Sequence, residues 1–307
     1  INMLFITPNS LFSKNWSSVK IKSKLFVPKV IRFINKYLYK IGFIGAILNR
    51  YDNSVTIYSA SKDKKLYKEY SKNSKFINFG SGAFSHPLWI NYDYPGQSDY
   101  YKNLQGKEKI DFYPINLCSE DLKIPFEDNS CDLIYCSHTL EHLEEEKGLN
   151  FLKECQRILK PKAIMRVALP NTENNFYYAK EIFNQDKIPQ TIKDEMILDC
   201  AKKVLSETES LPNNLIIKKV IESQFSISDF VNIISKEKKI SLKFKQENPE
   251  RHITYYSHDK LIDISKKLNF KFYAPLYKGS SFAEPFKNLD VFDTTEPQWS
   301  IYGEFVN

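Results

Sequence analysis

Residues 76–93 read Phe-Ile-Asn-Phe-Gly-Ser-Gly-Ala-Phe-Ser-His-Pro-Leu-Trp-Ile-Asn-Tyr-Asp. The first four form a short apolar run of strand character that enters Gly80-Ser81-Gly82. Trp89 to Asp93 is a second such run, and the Pro95-Gly96 turn closes it. A glycine turn directly after a buried strand lets the backbone approach a ligand where a side chain would collide. In doubly wound sheets such turns lie at the carboxyl ends of strands, where ligands bind. Asp93, at the tip of the next strand, is placed to accept the hydroxyls of a ribose. That arrangement also serves nicotinamide-binding folds, so Asp93 alone does not choose the ligand. Ser85 stands where the third glycine of a pyrophosphate-binding G-x-G-x-x-G would fall, and this disfavours a nicotinamide enzyme.

Outward from this stretch the rhythm continues. A third strand is expected within Asp111–Leu117 and a fourth at Cys131–Cys136. A helix then runs from about Leu140 to Leu159, where Lys160-Pro161 stops it, and a fifth strand spans Ala163–Leu169. After an interruption come a helix over Asp259–Leu268, a strand over Phe270–Leu276 and a last strand over Trp299–Val306. Strands alternating with helices imply an α/β fold with a mostly parallel sheet covered on both faces. Residues 173–250 break the alternation. They read as helical and polar, with Pro189, Pro212 and Pro249 as breaks, and we treat them as an insertion that could act as a substrate lid. Residues 75–172 and 251–307 then form the core, and 1–74 an N-terminal extension. Within that extension Val30, Ile34, Tyr37, Leu38, Ile41, Ile44 and Leu48 recur at helical spacing, with Lys29, Arg32, Lys36 and Lys40 on the other side. This predicts a basic amphipathic helix over 29–48, which either packs on the main domain or makes peripheral contact with an anionic membrane surface.

With 307 residues the chain can bury a large core, and 42% hydrophobic content belongs to a folded protein. The net charge of +7 comes mostly from lysines scattered among Asn and Ile, with only five arginines (Arg32, Arg50, Arg157, Arg166 and Arg251). Nucleic-acid binders concentrate such charge on one face, so a nucleic-acid partner is not expected. The five cysteines lack CxxC spacing and imply a reducing compartment without a structural metal. No secretory signal is visible, and the apolar run 41–48 is too short for a membrane span. A cytoplasmic location follows, with the inner membrane face as a peripheral site. Oligomeric state is not readable.

Residues 124–143, Ile-Pro-Phe-Glu-Asp-Asn-Ser-Cys-Asp-Leu-Ile-Tyr-Cys-Ser-His-Thr-Leu-Glu-His-Leu, resemble a stretch of the class I S-adenosylmethionine-dependent methyltransferases. There an L-P-F and an acidic turn precede S-F-D-x-I, a strand and x-x-L-E-H-L. Arg157-Ile158-Leu159-Lys160-Pro161, followed by Met165 to Asn171, is similar to their R-x-L-K-P-G-G, strand, P-D segment. The Gly80-Ser81-Gly82 turn with Trp89 to Asp93 resembles the opening of a type 11-like subgroup associated with polysaccharide and cell-envelope biosynthesis. His252 to Tyr256, Gly279 to Ser281 and Trp299 to Tyr302 resemble its tail. The resemblance implies a doubly wound, mostly parallel seven-stranded Rossmann-like sheet and S-adenosylmethionine as cofactor. Gly80, Ser81, Gly82, Asp93, Asn116, Leu117 and Ser137 are the cofactor-binding residues it implies. The chain departs from the pattern at Lys162 (usually Gly), Asn171 (usually acidic) and Asn116 (often Asp).

Methyl transfer needs alignment and, for a hydroxyl nucleophile, a base. His138, just after the fourth strand, is the leading candidate, and His252 could reach the substrate from the opposite wall with Tyr255 and Tyr256. His86 and His258 have no comparable context. His138, Glu141 and His142 form an H-x-x-E-H string whose members share a helical face and could present metal ligands. The resemblance explains 140–143 without one, and no metal ligand is expected. The expected activity is O-methylation of a small-molecule or glycan acceptor. A methyltransferase-fold binding module without catalysis and an RNA methyltransferase are the other readings.

Overall fold

The computed structural model describes residues 21–22, 27–48, 54–82, 84, 86–95 and 112–307. At the N-terminal side a small antiparallel sheet combines β1 (Ile21–Lys22), β2 (Ile44–Leu48) and β3 (Ser54–Ser59) in the order β1-β3-β2. The amphipathic helix expected over 29–48 is thereby shortened. Helix α1 covers Val27–Phe33 and loosens into a π-helical turn over Ile34–Leu38, and Ile44–Leu48 is strand. Gly42 supplies the break, at φ +81°. The Asn35 side chain then holds the returning strand by accepting from Ala46 N–H and donating to Ala46 C=O, each at 2.9 Å. Helix α2 (Ala60–Leu66) follows, capped by Ser59.

The main sheet contains β4 (Phe76–Phe79), β5 (Trp89–Asp93), β6 (Tyr113–Pro114), β7 (Cys131–Ser137), β8 (Leu159–Pro170), β9 (Lys271–Leu276) and β10 (Ser300–Val306). Its spatial order is β6-β5-β4-β7-β8-β10-β9. Pairings among β4 to β8 are parallel, whereas β10 runs antiparallel to both its neighbours. Counted within this sheet the order is 3-2-1-4-5-7-6, a doubly wound sheet with a reversed last strand wedged between the fifth and sixth. The chain reverses direction of travel between β4 and β7, and the crevice at that switch point faces the carboxyl ends of both strands.

All four residues of β4 are buried, as expected of a central strand covered on both faces. Ile77, Ile134 and Cys136 face one core with Phe151, Leu152 and Cys155 of α3 (Glu145–Ile158). Phe76, Leu133 and Tyr135 face the other, with Phe286, Phe292 and the N-terminal residues Tyr39, Ile47 and Tyr58. The extension therefore packs on the main domain. The interruption forms α4 (Thr172–Phe183), α5 (Gln190–Val204), α6 (Asn213–Glu222) and α7 (Ile227–Ile234) around a core of its own that includes Phe176, Ile197, Val204, Ile216 and Phe230. Helix α8 (His258–Lys267) returns the chain to the sheet.

Two departures from the resemblance have local explanations. Lys162 adopts φ +67°, which is why glycine suits that position. Asn171 caps α4 by accepting from Asn174 N–H at 3.1 Å and donates to Pro297 C=O at 3.2 Å, a bond that an ionised acid could not make.

Candidate active site

A cavity of about 770 Å³ opens over the carboxyl ends of β4, β5 and β7, within the range of small-molecule pockets. Gly80, Gly82, Asp93, Asn116 and Leu117 line one end. His138, His142, His252 and Trp299 line the other. Lys203, Phe244 and Glu250, from the helical insertion and the segment after it, also reach the wall.

At the first end the chain turns through two left-handed glycines, Gly80 at φ +64° and Gly82 at φ +53°. A Cβ on Gly80 would lie 1.9 Å from Thr139 Oγ1, so this glycine is demanded by packing as well as by conformation. Asp93 is buried and clamps the turn: Oδ2 accepts from Gly82 N–H at 2.5 Å, and Oδ1 accepts from Tyr94 N–H at 2.7 Å. Asn116 Oδ1 accepts from Cys118 N–H at 2.9 Å, which turns the amide Nδ2 into the group with donor capacity. Tyr94 packs edge-on against Phe244, with ring centroids 5.4 Å apart, and shields this end.

The other end gathers imidazoles around one carboxylate. His138 holds φ +50° with its N–H on Ala168 C=O at 2.8 Å, a strained conformation for a residue other than glycine. Its Nε2 lies 2.8 Å from Ser300 Oγ and its Nδ1 3.4 Å from Glu141 Oε1. His142 Nε2 is 3.9 Å from the same oxygen, and the rings of His142 and His252 stand 5.0 Å apart. Glu141 is 2% exposed and neither carboxylate oxygen has a hydrogen bond of ordinary geometry. Burial by itself would raise its pKa, but the imidazoles of His138, His142 and His252 outweigh burial and bring it to about 2.

Of the residues singled out from sequence, Gly80, Gly82, Asp93, Asn116, Leu117, His138 and His252 converge on this one cavity. Ser81 and Ser137 do not line it. Ser81 is buried with its N–H on Tyr92 C=O at 3.2 Å, and Ser137 C=O accepts the Thr139 hydroxyl at 3.1 Å. Tyr255 faces a separate hollow beside α7 and α8, and Tyr256 lies in the main core, so neither accompanies His252. Sequence reading missed Tyr94, Phe244 and Lys203 as wall residues. Nothing in their local pattern marks them, because the fold of the insertion delivers the latter two.

Comparison with known proteins fits this geometry. Residues 80–167 match the methyltransferase domain family, and that segment holds the glycine turn, Asp93, Asn116 and the 138–142 string. Over 81 residues the chain is 41% identical to an uncharacterised protein of Methanocaldococcus jannaschii, covering 25% of this chain and 34% of that protein. The match thus spans about a third of the relative's length. Among solved structures, a SAM-dependent methyltransferase of Aquifex aeolicus aligns over 92% of this chain and 98% of its own at 14% identity and a TM-score of 0.33. A possible histamine N-methyltransferase of Thermotoga maritima aligns over 92% and 96% at 14% identity and a TM-score of 0.35. PKMT2 of Rickettsia typhi, in complex with AdoHcy, aligns over 76% and 50% at 13% identity and a TM-score of 0.35. Residues 80–167 are thus similar to a methyltransferase domain.

Proposed function

We propose that this chain is an S-adenosylmethionine-dependent methyltransferase acting on a hydroxyl of a small-molecule acceptor, with glycans as the class favoured by the resemblance of its opening and tail. The observation that carries the reading is the convergence of Gly80, Gly82 and Asp93 on the end of a cavity whose opposite end is lined with imidazoles. The residues present fit the cofactor. Asp93 is a buried acid on the cavity wall beside the glycine turn, Asn116 Nδ2 can donate to a purine ring nitrogen, and the glycine turn leaves the strand tip uncovered. When bound, the cofactor supplies a methyl group activated by its sulfonium.

The chain's own part is alignment, exclusion of water and handling of a proton. Tyr94 and Phe244 cover the nucleoside end. Trp299, with Lys203 Nζ 4.9 Å from its ring centre, forms the mouth on the acceptor side. Proton removal from the acceptor belongs to the cluster of His138, His142, His252 and Glu141. His138 has both ring nitrogens engaged, so a direct base role requires release from Ser300. His252, anchored through Nδ1 on Lys203 C=O at 2.6 Å, turns Nε2 toward the cavity. The reading of a binding module without catalysis drew on Asn116, Lys162 and Asn171. Two of these have structural reasons unconnected with the cofactor.

Calorimetric titration with S-adenosylhomocysteine tests the proposal. Saturable binding is expected, weakened about 100-fold by Asp93→Asn through the loss of charge-assisted hydrogen bonds, roughly 1.5–3 kcal/mol each. No heat from the native chain at millimolar ligand would sink it.

The peripheral membrane contact proposed from residues 29–48 keeps one support. Phe33, Tyr37, Ile41 and Phe43 are exposed, Ile41 to 77%, beside exposed Lys36 and Lys40. Among the described residues no helix is long and apolar enough to cross a membrane.

A further inference from the structure

We propose that Glu141, His142 and His252 form a binding site for a divalent transition-metal ion, with zinc as the best-suited occupant. One ligand atom from each lies within 4.8 Å of the others. The hydrogen bonds behind the rings fix which nitrogen faces inward. His142 Nδ1–H donates to Arg251 C=O at 3.1 Å and His252 Nδ1–H donates to Lys203 C=O at 2.6 Å. Each ring therefore turns Nε2 inward, the orientation that second-shell carbonyls impose on metal-binding histidines.

His138 stands beside this set. Tyr302 OH donates to Thr295 C=O, Thr295 Oγ1 donates to Tyr302 OH, and Ser300 Oγ donates to Thr295 Oγ1. Ser300 Oγ is left to accept from His138 Nε2–H, and His138 Nδ1 faces Glu141 Oε1, 3.4 Å away. The buried Glu141 carboxylate, which has no hydrogen bond of ordinary geometry, thus stands among three imidazoles. A metal ion bound to the cluster's inward-facing atoms would join its members. Two imidazoles and one carboxylate match zinc and its first-row neighbours rather than magnesium or calcium, which prefer all-oxygen shells. Bonds of about 2.1 Å in a tetrahedron separate ligand atoms by about 3.4 Å, so small side-chain rotations close the set.

All three residues line the cavity, which leaves coordination positions open toward it. There the ion would bind the acceptor oxygen and lower the pKa of its hydroxyl, and His252 would act through the ion. That role rests on the methyltransferase reading; the binding site does not.

The test uses the full chain, free of affinity tag and stripped with a chelator, titrated with Zn²⁺ in a calorimeter and analysed for metal content after dialysis. About one zinc per chain is expected. Glu141→Gln and His252→Ala should each weaken binding at least 100-fold while S-adenosylhomocysteine affinity changes less than threefold. Substitution with Co²⁺ gives a second readout, a visible absorption band in the native chain that the isosteric Glu141→Gln removes even if His252→Ala fails to fold. No uptake by the native chain, or uptake unchanged in Glu141→Gln, would overturn the site. The cluster would then be held by protons alone. Failure of zinc with retained S-adenosylhomocysteine binding counts against the metal only.

Discussion

Single residues shape the glycine-turn side of the cavity, and their reasons are separable. Gly80 combines φ +64° with contact against Thr139. Alanine there meets both a left-handed backbone penalty of about 1–2 kcal/mol and an overpacking cost of about 1–3 kcal/mol. Gly80→Ala should therefore lose about 2–4 kcal/mol in urea unfolding, and a loss below 1 kcal/mol would contradict the packing. Lys162 is the converse. Its left-handed conformation makes Lys162→Gly stabilising by about 1 kcal/mol, offset in part by the greater entropy of glycine in the unfolded chain. A lower melting temperature for that variant would show that the lysine side chain contributes more than its backbone strain costs. The meeting of the glycine turn with Asp93 was legible in sequence because strand, turn and acid are neighbours along the chain. The proximity of Glu141 to His252 was not, since 110 residues lie between them and only the insertion's fold closes that distance.

At the scale of elements, the sheet could be read because buried strands announce themselves as short apolar runs, and β7, β9 and β10 fall within a residue or so of expectation. The N-terminal element was misjudged because an apolar run such as Ile44–Leu48 satisfies helical spacing and strand burial alike. Gly42 and Gly45 were the signal against one continuous helix, and in the fold Tyr58 of the paired strand occupies the place a Cβ on Gly45 would take. Folding this segment into a turn and a strand leaves Phe33, Tyr37, Ile41 and Phe43 outside the core. If that patch meets an anionic bilayer, the chain should co-sediment with vesicles containing phosphatidylserine, and Ile41→Asp with Phe43→Asp should reduce the bound fraction at least fivefold. Equal sedimentation with purely zwitterionic vesicles, or no effect of the pair, would remove the membrane from the account.

The whole molecule is joined by a buried polar knot that no stretch of sequence displays. Asp63 of α2 is fully buried and accepts from Tyr39 OH at 2.5 Å, His86 Nε2–H at 2.9 Å and Asn288 Nδ2–H at 2.8 Å. Its donors come from the N-terminal extension, the loop after the glycine turn and the segment before β10. His86 Nδ1 accepts from Leu88 N–H at 3.1 Å, which fixes the ring with Nε2 toward Asp63. Burial tends to raise the Asp63 pKa, but these donors outweigh burial and hold it below its ordinary 3.8. The carboxylate's contribution to stability is therefore complete above about pH 4 and lost as pH falls through the depressed folded value. Asp63→Asn keeps the shape, yet its amide must face at least one donor, and about 3 kcal/mol should be lost at neutral pH. Because the variant has no proton to gain at this position, its stability should fall less steeply between pH 4 and pH 2 than that of the native chain. Urea unfolding across that range decides the matter: parallel pH profiles would mean that the extension is held to the core by apolar packing of Tyr39, Ile47 and Tyr58, with Asp63 a bystander.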